Sequence, residues 1–233
     1  MAKLRIAEMF SSIQGEGILA GVPSFFIRVS GCNLRCIWCD TPYASWNPEG
    51  PTLTISEILQ AAQDHPRHVV LTGGEPMLFE PIEILCDGLK AQGKHITIET
   101  AGTVFREVAC DLMSISPKLS NSTPDQTAGE GWPERHELTR KNFEPLKKLI
   151  DAYNCQLKFV VNPESPNDDL AEVEVLLAQI GPFDAERILL MPEGTDPAAL
   201  WRRAKMLTSV CMDKGWRLCP RLHVDLFGNT RGT

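Results

Sequence analysis

Cys32-Asn33-Leu34-Arg35-Cys36-Ile37-Trp38-Cys39 reads as C-x-x-x-C-x-x-C and follows closely on the apolar run Phe25-Phe26-Ile27-Arg28-Val29. Three thiolates in one short loop can converge on one metal centre. They are one ligand short of what a cubane iron–sulfur cluster needs, so one iron would be left open to react. A structural zinc site needs a fourth ligand from a second knuckle, and the chain has no second C-x-x-C or C-x-x-H. The plain alternative, reduced cysteines packed in a loop, is disfavoured because cysteine is uncommon and this spacing rarely arises by accident.

The rest of the chain gives this loop an ordinary globular setting. Its 233 residues, 43% of them hydrophobic, suffice for one large α/β domain spanning 1–233. A net charge of -7 argues against a nucleic-acid partner held by broad phosphate neutralisation. The start, Met1 to Glu8, lacks a signal-peptide core, and no apolar run reaches the ~20 residues of a membrane span. Eight cysteines without an export signal suggest a reducing cytoplasm. Cys86, Cys110, Cys155, Cys211 and Cys219 are widely scattered and read as small core residues.

Residues 4–10 alternate as a first strand, and Ser11 to Gly17 form a tight turn with two glycines around Glu16. Residues 24–30 are the next strand and lead into the cysteine loop. Thr54-Ile55-Ser56-Glu57 is a capping box that opens a helix to about residue 64. The run His68-Val69-Val70-Leu71 suits a buried parallel strand and ends in Thr72-Gly73-Gly74-Glu75-Pro76. Glycines at such a strand end let backbone approach a ligand, although a plain β-to-α turn would look the same. A helix over 80–92, a strand over 95–99 and a strand over 111–116 follow. Residues 119–135 read as a long polar loop: a lid, an interface segment or a disordered stretch. A helix near 136–152, a strand at 156–161, a helix from Asp168 to Ile180 and a strand at 187–191 continue the rhythm. The last elements are a helix from Asp196 to about Lys214 and a strand over 216–224.

Strands alternating with helices imply parallel strands joined by right-handed crossovers. The chain is short for a complete eightfold barrel of ~250 residues. The expected fold is therefore α/β, an incomplete TIM-like barrel of about six parallel strands with crossover helices. Its strand carboxyl ends would face one mouth and gather the motifs there.

The cysteine spacing, with Thr72-Gly-Gly-Glu-Pro76 after a later strand, resembles the radical S-adenosylmethionine (SAM) superfamily. Other stretches are similar to the 7-carboxy-7-deazaguanine synthase family: Phe10-Ser-Ser-Ile-Gln-Gly-Glu-Gly17, Arg28-Val-Ser-Gly-Cys32, Cys39-Asp40-Thr41, Ile98-Glu-Thr-Ala-Gly102, Ser116-Pro-Lys118 and Pro220-Arg-Leu-His223. The resemblance covers nearly the whole chain. It implies a lyase that converts 6-carboxy-5,6,7,8-tetrahydropterin to 7-carboxy-7-deazaguanine with loss of ammonia, a precursor step for queuosine in tRNA. It also implies a 4Fe–4S cluster, SAM and Mg²⁺, an external one-electron reductant of flavodoxin or ferredoxin type, and a homodimer. In that superfamily a radical derived from SAM abstracts a substrate hydrogen, and the protein positions SAM and excludes water.

Carried over position by position, the resemblance gives Cys32, Cys36 and Cys39 to the cluster and Thr41 to Mg²⁺, a hard ion that prefers oxygen. Trp38, Cys39, Asp40, Gly74, Glu75, Ser116, Pro117 and Lys118 would bind SAM. Ile13, Gln14, Gly15, Glu16, Arg28, Thr72 and the terminal Thr233 would bind substrate. The chemistry agrees, since a pterin presents an amide and an amine that Gln14 and Glu16 can read, and Arg28 can pair with a carboxylate. His223 suits either the site or the core. Two rivals are an activating enzyme for a glycyl radical protein, which shares the cysteine motif but not Gln-Gly-Glu-Gly or Thr41, and a non-enzymatic iron–sulfur module, which usually supplies four cysteines.

Overall fold

A computed structural model describes residues 1–165 and 167–233. Nine strands among these residues form one sheet: β1 Lys3–Ile13, β2 Pro23–Val29, β3 Thr52–Thr54, β4 His68–Gly73, β5 His95–Thr100, β6 Leu112–Ile115, β7 Cys155–Val161, β8 Ile188–Pro192 and β9 Arg217–Leu218. Their spatial order is β3-β1-β2-β4-β5-β6-β7-β8-β9, and the two ends do not pair. From β2 to β9 every neighbour is parallel, whereas β1 pairs with β2 and with β3 antiparallel. The expected open barrel is present, extended by an antiparallel edge that alternation alone did not foresee.

The helices are α1 Ile55–Ala62, α2 Pro81–Ala91, α3 Trp132–Arg140, α4 Glu144–Ala152, α5 Asp169–Ile180, α6 Pro197–Lys214 and α7 Leu222–Phe227. The capping box at Thr54 and Glu57 forms as the sequence predicts, with both reciprocal hydrogen bonds. Pro197 opens α6 and Gly215, at φ +68°, closes it. Three expectations change. The helix expected over 136–152 is two helices, because the chain leaves α3 at Lys141 and restarts on Pro145 in the first turn of α4. The strand expected over 216–224 shrinks to Arg217–Leu218, since Pro220 has no N–H to extend a ladder and α7 starts at Leu222. The loop expected over 119–135 holds two short 3-10 turns, Ser120–Ser122 and Gln126–Ala128, and the start of α3.

Strand periodicity divides the chemistry. Phe25, Ile27 and Val29 of β2, Ile96 and Ile98 of β5, and Leu157, Phe159 and Val161 of β7 join the main apolar core with the helices. Alternate residues on these strands and on their neighbours β4 and β6 face the barrel interior. These include Arg28, Thr72, Glu99, Ser114, Gln156 and Lys158, so the barrel is lined with polar groups where a closed structural barrel would carry branched apolar ones.

Candidate active site

The polar interior opens into a cavity of about 800 Å³. One wall is the loop after β2, where Cys32, Cys36 and Cys39 all reach the cavity. No three His, Cys, Asp or Glu side chains among the described residues gather at the spacing of a single ion. Cys32 Sγ accepts from the Leu34 backbone N–H at 3.4 Å, and Cys39 Sγ lies 3.1 Å from Ser45 Oγ. Burial pushes the Cys32 and Cys36 thiols up to about 12. Left alone they are neutral, and the positive charge of bound iron is what would make them thiolates. Three soft donors on one wall, with hydrogen bonds to two of the sulfurs, suit an iron–sulfur cluster.

The loop is held from behind by the stretch that the sequence left unassigned. Ile37 N–H donates to Ser122 O at 2.9 Å, and Arg35 N–H donates to His136 Nδ1 at 3.1 Å. The Arg35 guanidinium stacks 4.0 Å above the Trp132 ring. Trp38 Nε1–H donates to Asn121 Oδ1 at 3.3 Å, and Asn121 Nδ2 donates in turn to Asp169 Oδ2 at 2.7 Å.

Tight glycine packing joins this loop to the strand ends beside it. Gly73 has φ +135°, and a Cβ on Gly74 would lie 2.1 Å from Gly31 O. Gly74, Ser116 and Lys118 reach the cavity, as do Trp38, Asp40 and Thr41. Lys118 Nζ donates to Ser116 O and Oγ, and burial lowers its pKa. Glu75 and Pro117 are not among the lining residues. Glu75 is fully buried, and its carboxylate accepts from Thr100 Oγ1 at 2.7 Å, Ala101 N–H at 2.8 Å and Met77 N–H at 3.1 Å. Burial raises its pKa against those three bonds.

The opposite end of the cavity is the turn after β1. Because β1 is antiparallel, this turn lies away from the strand carboxyl ends, where the motifs were expected to gather. It reaches the cavity by folding inward as a floor, with Ile13, Gln14, Gly15 and Glu16 all lining it. Gln14 Nε2 donates to Glu99 Oε1 at 3.2 Å, and Thr72 Oγ1 donates to Glu99 Oε2 at 2.7 Å. Glu16 forms ion pairs with Lys158 and with Arg221, and Arg221 also pairs with Asp40. Burial alone would raise the Glu16 carboxyl, but Lys158, Arg221 and His223 hold it well below the usual carboxylate range. Burial likewise opposes the charge on Lys158, and Glu16 and Glu99 overcome it and raise its pKa.

Arg28 lines the side wall and gives its Nε–H to Glu8 at 2.6 Å. Tyr43 OH donates to the same Glu8 oxygen at 2.7 Å. The tail lies at the mouth, where Asn229 to Thr233 are all lining residues. Arg231 fastens that tail, donating to Glu49 at 2.9 Å and to Ala7 O at 3.0 Å while lying 4.0 Å above the Tyr43 ring. Sequence reading gave no role to Glu99, Lys158, Arg221, Tyr43 or Asn121. Glu99 and Lys158 carried a usable signal, since each is a charged residue at an alternate position of an otherwise apolar strand.

Comparison with known proteins gives this arrangement relatives. Residues 26–152 match the radical SAM superfamily. The chain is 45% identical to the 7-carboxy-7-deazaguanine synthase of Halobacterium salinarum, covering 99% of this chain and 93% of that protein. It is 44% identical to that of Rhodopirellula baltica, covering 100% of this chain and 90% of that protein. It also superposes on the crystal structure of QueE from Escherichia coli with a TM-score of 0.66, at 27% identity and 95% coverage of both chains.

Proposed function

Since the chain belongs to the 7-carboxy-7-deazaguanine synthase family within the radical SAM superfamily, we propose that it converts 6-carboxy-5,6,7,8-tetrahydropterin to 7-carboxy-7-deazaguanine with loss of ammonia. A 4Fe–4S cluster and SAM follow from that membership. Together, when bound and reduced, they supply the radical that takes a hydrogen from the substrate. The observation that carries the reading is that one cavity joins a three-thiol wall to a floor of Gln14, Glu16 and Glu99.

In this reading Cys32, Cys36 and Cys39 hold the cluster. Trp38, Cys39, Asp40, Gly74, Ser116 and Lys118 surround SAM. Glu75 and Pro117 serve from behind, Glu75 by fixing the Thr100–Ala101 backbone. Gln14 and Glu16 read the amide and amine of the pterin, with Ile13, Gly15 and Thr72 shaping the pocket around it. Arg28 takes the substrate carboxylate, and Glu8 aims its guanidinium through Nε. Thr233 covers the mouth with the tail. Thr41, beside Asp40 in the cluster loop, offers a hydroxyl oxygen to Mg²⁺. The burial that lowers the Lys118 pKa marks that end of the cavity as poorly solvated, and a tail over the mouth would help keep water and stray hydrogen donors away from the reacting atoms.

We read the chain as one catalytic domain that works as a homodimer, fed by a flavodoxin- or ferredoxin-type reductant. Eight free cysteines suit a reducing cytoplasm. The deciding experiment is anaerobic incubation of the reconstituted protein with reductant, SAM, Mg²⁺ and carboxytetrahydropterin, followed by mass spectrometry. A product lighter by ammonia is expected. Reductive SAM cleavage without that product would favour a different radical SAM activity.

A further inference from the structure

The cavity floor belongs to one end of the sheet and is fastened to the other. Gln14 to Gly17 follow β1, while their anchors lie on β7 and beyond β9, across the gap that the unpaired sheet ends leave open. Gln156 of β7, 2% exposed, accepts from the Ile18 backbone N–H at 2.8 Å through Oε1. Its Nε2 donates to the Ser114 hydroxyl at 2.7 Å, and Ser114 on β6 is equally buried. Gly17 N–H donates to Cys219 Sγ at 3.1 Å, and Leu222 N–H donates to Gly15 O at 2.9 Å.

The fit around the amide is close. Gly17 has φ +77°, and a Cβ there would lie 2.3 Å from Gln156 Nε2. The turn therefore rests directly on the glutamine, which supports it from below while Cys219 and Leu222 hold it from the side of β9. A buried glutamine needs such partners, because its amide is costly to leave unpaired. Neither Gln156 nor Ser114 is among the residues that line the cavity.

We propose that Gln156, oriented by Ser114, is a positioning residue for substrate recognition: it fixes the height at which Gln14 and Glu16 meet the pterin. This rests on the function proposed above. The cluster wall hangs from β2 and from the 119–136 segment, with no bond to Gln156, so cluster and SAM binding are independent of it. Removing the glutamine amide should therefore weaken the pterin side of the cavity alone.

The test uses the reconstituted holoenzyme and two variants. Gln156→Met keeps the volume and removes both hydrogen bonds. Gln156→Glu keeps an acceptor for the Ile18 N–H and another for the Ser114 hydroxyl. Iron content, SAM Kd by equilibrium dialysis, and KM and kcat for carboxytetrahydropterin are measured for each. Loss of one anchoring bond to the turn corresponds to about a tenfold rise in KM for Gln156→Met. Iron content, SAM Kd and kcat should stay within about twofold of the parent, and Gln156→Glu should recover most of the KM. An unchanged KM in Gln156→Met would overturn the proposal. So would a parallel loss of iron, SAM affinity and kcat, which would mean general damage. A parent that binds SAM but makes no deazapurine would instead bring down the functional reading, and this proposal with it.

Discussion

His136 offers a sharp test of how the cysteine loop is held. Its ring has no exposed surface. Nδ1 accepts from the Arg35 backbone N–H at 3.1 Å, so the ring proton must sit on Nε2, 2.9 Å from Ser122 Oγ. The Ser122 hydroxyl then donates onward to Leu119 O at 2.6 Å. Each partner needs the neutral ring, because a proton on Nδ1 would face the amide hydrogen of Arg35. Burial pushes the pKa down from 6.5 to about 4, with Glu137 resisting and Arg140 and Lys118 adding to the depression.

The unfolded chain therefore takes up this proton more readily than the folded one between pH 6.5 and about 4. The stability that His136 contributes is present above that window and is lost as pH falls through it. The full difference is ~3 kcal/mol, and about 2 kcal/mol of it is gone by pH 5. His68 is depressed to about 4 in the same way, so the parent's pH profile alone cannot isolate one ring. His136→Asn removes the titration and keeps an acceptor near the Arg35 amide. Urea unfolding of reduced, cluster-free protein followed by circular dichroism, for parent and variant at pH 7 and pH 5, measures the difference. The parent's advantage should shrink by about 2 kcal/mol on acidification. An advantage that stays constant would refute the claim that the loop rests on a neutral histidine.

Cys36→Ala should lose both the broad absorbance near ~400 nm of the reconstituted cluster and reductive SAM cleavage; full activity in that variant would remove the cluster from this loop. Thr41→Ala should weaken the Mg²⁺ dependence of turnover, and a variant that answers to Mg²⁺ like the parent would put the ion elsewhere. Glu75→Ala strands two buried donors, Thr100 O–H and Met77 N–H, and the partly buried Ala101 N–H, and should cost about 3 kcal/mol in urea unfolding. Glu75→Gln, which keeps an acceptor in place, should cost less than half as much.

How far the chain could be read follows from which interactions are local. His68-Val-Val-Leu, the Thr54–Glu57 box and the Pro197…Gly215 helix are local signals, and each appears where the sequence predicts it. The cysteine spacing is local too. β3 is three residues long and exists only through its pairing with β1, so no periodicity could announce it. The helix expected over 136–152 carried apolar residues on both sides of a break that only Pro145 marks. Asn121 and Ser122 sit in a polar stretch that reads as loop and His136 at the start of an expected helix, yet they serve as the back support of the cysteines through bonds to residues 83 to 101 positions away. Their value depends on tertiary contacts that composition does not encode.

The clearest signal left unused was alternation itself. His95-Ile-Thr-Ile-Glu and Gln156-Leu-Lys-Phe carry apolar residues at one parity and polar residues at the other, which is the pattern of a strand with one wet face. In a parallel strand covered by helices on its outer face, that wet face can only be the barrel interior. A polar interior is tolerable only if each buried group finds a partner. Here the partners come from the β1–β2 turn, which meets Glu99 through Gln14, Lys158 through Glu16 and Gln156 through Ile18. The open barrel and the inward turn therefore explain one another. An incomplete sheet leaves a gap wide enough for the turn to enter, and the polar residues on β5 and β7 are stable because the turn fills it. The same groups that satisfy the gap then form the cavity floor, facing the three cysteines across the cavity, and it is this floor that the proposed function assigns to the pterin.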